Sequence, residues 1–385
     1  MATKLWILLV ALLFLGSVAV SFTVLKSPTG IASYSCEFFG IGEPITVRSV
    51  LGELDVQRCL ETVESLGVKR LREWVWMSAF LTGPKHLNQT FKETLDLVIS
   101  EMSANNITIM GMSHDFPSWM TGIDSDPQAV PQRNTSAESD YLKFLAIYRE
   151  SWKTLAASFP KITMWEIGNE FNTDPFLHPS GYKADNPYSP RFSVQEKADI
   201  VTDFLYYGSL GVHEGNPNAK TVLGGLAPYP NIYRIADFLE VIYRNIESGR
   251  WPSTDTNDYY QVVCWHPYLS NERPTFQNWI NPNNVIYGVM RDHGDGNKSV
   301  VFSEFGYSSS LIPVELVSEY LLEAFQLARY NFPWLETIYW FRLIEPHPAT
   351  VNSINPVGYG LIETDWEWKI VAYAYNTLIK TTTHR

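Results

Sequence analysis

The residues best placed to do chemistry in this chain are two glutamates, Glu170 at the end of the segment ITMWEIGNEFN and Glu304 within KSVVFSEFGYSS. Each follows an apolar, β-rich run, Ile162 to Ile167 in the first case and Val300 to Phe302 in the second. A carboxylate at the end of a core strand is costly unless it has a partner or a task. Two such acids facing one another supply what cleavage of an acetal requires: a proton for the leaving oxygen, and negative charge beside a carbon that becomes oxocarbenium-like. A lone Asn-Glu pair such as Asn169-Glu170 reads as a cap or an exposed turn. A second acid in the same setting, about 130 residues later, reverses that reading.

Strand ends far apart in sequence meet in space at the mouth of a parallel barrel. Eight apolar, β-branched or aromatic runs are present: Ser33 to Gly40, Val68 to Val75, Ile107 to Ser113, Ile162 to Gly168, Thr221 to Leu226, Gln261 to His266, Ser299 to Phe305 and Thr337 to Leu343. They alternate with helical-period segments at Glu53 to Leu66, Phe91 to Ala104, Glu138 to Phe159, Val194 to Glu214, Ile232 to Ser248, Phe276 to Asp292 (the weakest), Val314 to Tyr330 and Glu367 to Ile379. The expected fold class is therefore α/β, a (β/α)8 TIM barrel, built from a repeat of topology and not of sequence. No Ser/Gly-rich linker divides the chain after its first residues, so residues 26–385 read as one domain. The segment Asn172 to Arg191, rich in Pro, Gly, Asp and Tyr, is a long loop after the fourth strand, on the side where barrel sites lie.

Other polar residues converge on the same strand ends. The second strand carries Arg72 with Trp74 on the same face, the third ends in Ser113-His114-Asp115, the sixth in His266-Pro267-Tyr268, and the eighth contains Trp340 and Arg342. A core Arg needs an acid, and Arg72 beside a carboxylate keeps that carboxylate ionised. His266 and Tyr268, two apart and so on one face, are expected to hold Glu304 by hydrogen bonds. His114 is a supporting residue or the cap of a turn.

With these residues in place, the chain over roughly residues 32–383 resembles the clan of retaining glycoside hydrolases whose (β/α)8 barrel carries catalytic Glu residues on strands four and seven. It is most similar to the cellulase-like family 5 and the xylosidase-like family 39. The resemblance implies that Asn169-Glu170 supplies the acid/base and Glu304, in FSEFG, the nucleophile. It implies that Arg72, His266 with Tyr268, and Trp340 take the clan's strand-two, strand-six and strand-eight positions, with Trp340 as an aromatic floor for a sugar. The stretch GLIETDWEWKIVAYAYNTL looks like the clan's closing loop and helix. Hydrolysis of O-glycosidic bonds by double displacement is the implied activity, on a cellulase-, β-glucosidase-, xylosidase- or mannanase-like substrate. A transglycosylase using the same acids and a non-catalytic sugar-binding barrel are the alternatives.

Composition bounds the partners. At 385 residues and a net charge of −12, the chain lacks the basic face that nucleic acid or an anionic membrane requires, and a neutral carbohydrate is the expected substrate. Thirteen Trp and 21 Tyr suit stacking on sugar faces. No CxxC or clustered His/Cys spacing marks a metal, and no cofactor is expected. Cys36, Cys59 and Cys264, in expected strand, helix and strand, read as buried thiols. Lys4 followed by the apolar run Leu5 to Leu15 and a small-x-small site at Ser17 and Ala19 makes residues 1–25 a signal peptide, or a signal anchor if uncleaved. A secreted or membrane-anchored glycoprotein follows, with sequons at Asn88, Asn106, Asn134 and Asn297.

Overall fold

The computed structural model describes residues 36–352 and 355–383; the leader-like run and the start of the expected first strand lie outside them. Eight strands close into an all-parallel barrel: β1 (Phe39–Gly42), β2 (Arg70–Trp74), β3 (Thr108–Ser113), β4 (Met164–Asn169), β5 (Lys220–Gly225), β6 (Val262–Cys264), β7 (Ser299–Phe305) and β8 (Leu335–Phe341), with β8 pairing back on β1. Both faces of these strands are covered, so most of them are largely apolar; β2, with Arg70, Arg72 and Glu73, is the exception. The interior is packed by Met110, Met164, Val222, Val262, Cys264, Val301 and Tyr339.

The outer helices are α1 (Val56–Leu66), α2 (Gln89–Ala104), α3 (Asp140–Ser158), α4 (Val194–Gly215), α5 (Tyr233–Glu247), α6 (Asn281–Asp292), α7 (Val314–Asn331) and α8 (Ile370–Thr383). Their starts follow local chemistry. Asp55 accepts from the Arg58 N–H, which sets the start of α1 later than Glu53, and Gly67 closes the helix in the left-handed region. A reciprocal Ser193/Glu196 capping box opens α4. The expected helix Phe276 to Asp292 is two pieces, a wide turn Phe276–Ile280 and α6, because Pro282 has no N–H and is tolerated only in a helix's first turn. Cys36 opens a tight turn, Cys36–Phe38, and is not in a strand. Cys59 and Cys264 are free, buried thiols. Among the described residues no helix is long and apolar enough to cross a membrane.

The mouth is shaped by irregularities at strand ends. The β7–β8 ladder slips between Phe302 and Phe305, the stretch that holds Ser303 and Glu304, and such a slip re-aims a side chain out of the regular alternation. On β8, Tyr339 points into the barrel core and Phe341 reaches the mouth cavity. Trp340, between them, therefore faces outward. It is fully buried, packs against Phe305 and the α8 residue Tyr375 with ring centroids 6.2 and 6.4 Å apart, and donates its Nε1–H to the Tyr359 carbonyl at 3.3 Å. The expectation of Trp340 as an aromatic floor fails on strand alternation. Trp340→Ala should lower stability by about 3–5 kcal/mol, measured by denaturant unfolding; a loss below about 1 kcal/mol would contradict this packing.

Candidate active site

The site is assembled around one buried guanidinium. Arg72, on β2, donates Nη1–H to Glu304 Oε1 at 2.5 Å, Nε–H to Glu166 Oε2 at 2.5 Å and Nη2–H to Asn169 Oδ1 at 2.7 Å. Burial alone would make Arg72 a weaker base, but Glu166 and Glu304 hold its proton more firmly than usual. Its planar fork fixes β4 and β7 relative to β2. Because Arg72 takes Asn169 Oδ1, the amide's two N–H donors are left for the cavity that Asn169 lines.

Glu304 is 7% exposed. Its Oε2 accepts from Tyr268 Oη–H at 3.0 Å. Burial would raise its pKa, but the neighbouring His266, the Arg72 guanidinium and the hydrogen bonds of Tyr268 and Arg72 hold it below the ordinary carboxylate value. Burial and the facing Glu304 carboxylate push the Tyr268 hydroxyl well up, so it remains a donor.

Glu170 follows β4 with φ at +50°, a left-handed conformation that is strained for a residue with a side chain. Two features hold it there. Its N–H donates to the Gly225 carbonyl at 2.7 Å. Gly168, with φ at +93°, leaves room for the Phe171 ring, which an added Cβ would meet at 2.2 Å. The turned carboxylate meets His266, whose Nδ1 lies 2.8 Å from Glu170 Oε1 and 3.7 Å from Glu304 Oε2. His266 therefore differs from the expectation that it holds Glu304: it hydrogen-bonds Glu170, and Tyr268 alone of the pair bonds Glu304.

The remaining expected residues lie as follows. His114, after β3, lines the cavity and is buried, with its ring 6.0 Å from Trp76 and 5.4 Å from Phe176. Burial lowers its pKa despite Asp115, so it is a neutral imidazole. Asn88 caps α2 by accepting from the Thr90 N–H, and Asn106, Asn134 and Asn297 are exposed.

Glu166, Ser303 and, apart from Trp74 and Arg342, the far wall of the site were not singled out in the sequence. Glu166, an acid inside an apolar strand, is the second acid on Arg72; a charge at that position without a visible partner was the available signal. Ser303 bonds both Glu166 and His266, and a serine in a strand carries no such signal. The loops after β1 and β8 supply the far wall of a cavity of about 380 Å3. There Arg48 and Arg342 share the buried Glu43 carboxylate at 2.7 and 3.0 Å. Phe341, Trp74, Trp76 and Tyr359 give the wall its aromatic character.

Glu170, His266 and Glu304 each offer a ligand-type atom, all within 4.8 Å of one another. A cation there would stand against Arg72, already 2.5 Å from Glu304, and would displace the His266–Glu170 hydrogen bond, so the cluster is suited to sharing protons between its members.

No family model and no curated protein matches the chain. Solved structures do. One is a family 39 glycoside hydrolase from the gut symbiont Bacteroides cellulosilyticus WH2, with 14% identity, 90% of this chain covered and a TM-score of 0.60; the match spans 64% of that chain's length. GH5_18 from Streptomyces cattleya, in complex with GlcNAc, matches at 16% identity over 91% of this chain and 81% of that one, TM-score 0.62. Xylanase 10B from Thermotoga petrophila RKU-1, in complex with xylobiose, matches at 13% over 93% and 100%, TM-score 0.60. At these identities the likeness is one of fold, and it bears out the (β/α)8 barrel.

Tyr268→Phe removes one of the donors that keep Glu304 ionised. The midpoint of Glu304 protonation should rise by about one pH unit, followed by carbon NMR of the labelled carboxyl in wild type and variant; an unmoved midpoint would show that Arg72 and His266 suffice.

Proposed function

We propose that this chain is a retaining β-glycosidase hydrolysing O-glycosidic bonds by double displacement. The observation that carries the reading is the spacing of the acids: oxygens of Glu170 and Glu304 lie within 4.8 Å of one another. Retaining enzymes hold their carboxyl groups about 5–5.5 Å apart, whereas inverting enzymes leave about 6.5–9.5 Å for a water.

In this reading Glu304, kept ionised by its surroundings, attacks the anomeric carbon as the bond to the leaving oxygen breaks and Glu170 delivers a proton to that oxygen. Water then attacks the glycosyl-enzyme ester, giving its proton to Glu170 and releasing Glu304. Asn169 presents its amide hydrogens to a hydroxyl beside the reacting carbon, and neutral His114 binds another. A non-catalytic sugar-binding barrel would require neither the paired acids nor their Arg72 and Tyr268 support. Transfer to a sugar acceptor uses the same covalent intermediate and differs only in what displaces Glu304.

A neutral pyranoside suits the aromatic walls and the negative net charge, and GlcNAc and xylobiose are the ligands of two structures similar in fold. The leader-like run and the exposed sequons Asn106, Asn134 and Asn297 support a secreted glycoprotein.

Proton NMR of the first-formed product from an aryl β-glycoside should show the β anomer; an initial α anomer would sink the two-step mechanism. Glu304→Ala should lose activity by at least about 10⁴-fold and recover part of it with azide, yielding the α-glycosyl azide. Glu170→Ala should damage substrates with poor leaving groups far more than activated aryl glycosides; equal damage to both would remove Glu170 from the acid role.

A further inference from the structure

Beneath the two acids runs a chain of hydrogen bonds that catalysis by Glu170 and Glu304 alone does not require. Glu166 Oε1 accepts from the Gly225 N–H at 3.0 Å, and Glu166 Oε2 is paired with Arg72. Ser303 Oγ lies 2.9 Å from Glu166 Oε1 and 3.3 Å from Cys264 Sγ, and on its other side 3.0 Å from His266 Nε2. A hydroxyl has one proton. Glu166, ion-paired to Arg72, takes that proton as an acceptor, so Ser303 turns lone pairs toward His266. His266 Nε2 must then carry a hydrogen, and a neutral His266 presents a bare Nδ1.

We infer that Ser303, anchored by Glu166, sets the tautomer of His266 so that the Glu170–His266 contact stores a single proton between Oε1 and Nδ1. The inference deepens the glycosidase reading and rests on it for the role of Glu170. The 2.8 Å contact needs one proton, held at rest as carboxylic acid to imidazole and, when the proton shifts, as imidazolium to carboxylate. A carboxylate facing a bare Nδ1 has no donor, so the pair resists losing its last proton to solvent. That is the property wanted of an acid catalyst at rest. No bond other than O–H or N–H is made or broken in this storage, and the proton count of the pair is unchanged as it shifts between the two atoms.

The surroundings leave His266 no alternative arrangement. Its ring is fully buried and lies so close to Gly225 that an added Cβ there would meet Nε2 at 2.0 Å. The charged and titratable groups around it are Glu170 and Glu304 at Nδ1, Ser303 with Glu166 behind it at Nε2, Cys264 two residues earlier on β6, and Tyr268, whose ring stands at 84° to the imidazole. Burial and the Glu166 charge push the Cys264 thiol well up, so it stays protonated and does not compete for the proton of the pair. Ser303 touches no reacting atom and is a positioning residue.

The test uses the full chain labelled with nitrogen-15 in its histidines. Long-range proton–nitrogen correlation at neutral pH should show His266 with its hydrogen on Nε2 and an acceptor-type Nδ1. Ser303→Ala frees the ring to carry its hydrogen on Nδ1, where it stabilises the Glu170 carboxylate. That signal should appear, and the basic limb of kcat/KM should move to lower pH by about one unit. Ser303→Thr, which keeps the hydroxyl, should restore both. A wild-type ring with a bare Nε2, or a Ser303→Ala variant unchanged in tautomer and in pH profile, would overturn the inference. Because the NMR reading needs no substrate, a protein that shows the Nε2–H tautomer yet cleaves no glycoside would count against the glycosidase reading alone.

Discussion

The strand-end polar groups of β4 and β7 are referred to the Arg72 guanidinium. It is fully buried, and an isolated buried charge would shed its cost by changing protonation state, which arginine cannot do. It must therefore be compensated in place, and its fork does so in three directions at once, toward Glu166 and Asn169 on β4 and Glu304 on β7. Breaking one arm leaves an unpaired buried carboxylate or cation, which is far more costly than never having formed the pair. The same rigidity that makes the cluster hard to remove holds the two acids to the short spacing on which the proposed mechanism depends.

The fold was largely legible. Seven of the eight barrel strands and seven of the eight outer helices lie where periodicity and composition put them, displaced by a few residues at their ends, because parallel strands buried on both faces read as largely continuous apolar runs; the expected first strand shares only Phe39 and Gly40 with β1, and the expected helix Phe276 to Asp292 is split. The displaced ends have local causes: a cap at Asp55, and Pro282 in the first turn of α6. The site was legible in its acids and in Arg72, where charge in an apolar run is itself the signal. It was not legible where the backbone leaves its regular alternation. Trp340 was placed at the mouth by likeness to a strand-eight Trp, yet period-2 alternation gives that place to Phe341 and sends Trp340 outward. His266 and Tyr268 do share a face, but the positive φ of Glu170 brings its carboxylate to the imidazole, and nothing in the residue types announces that turn.

The hydrogen-bonded tier below the acids explains a second set of residues that composition leaves silent. Glycine at 225 gives His266 its space, while its N–H anchors Glu166 and its carbonyl receives the Glu170 N–H. One residue at the end of β5 thus fixes an acid, its supporting histidine and the buried carboxylate that orients both. Small polar residues and glycines in such positions carry directional constraint without bulk, so their importance is geometric and is hidden from any reading of polarity.

The cavity is lopsided, and its asymmetry divides chemistry from recognition. Beyond the acids its walls are drawn mainly from the loops after β1, β2 and β8, with Arg48, Arg342 and Asn355 at the far side. The two arginines converge on Glu43, Arg342 also bonds Asn355, and Arg48 reaches the carbonyls of Ile344 and Glu345. Glu345 in turn accepts from the Gly358 and Gly360 N–H groups and pairs with Lys369. The loop after β8 is thereby tied to the loop after β1 by buried charge, with Glu43 held below the usual carboxylate range by Arg342 and Arg48 against the opposing effect of burial. Substitutions on these loops change the far wall of the cavity without disturbing Arg72, whereas changes at the strand ends alter the acids themselves. On the proposed reading, selectivity among glycosides is set by the first group and turnover by the second.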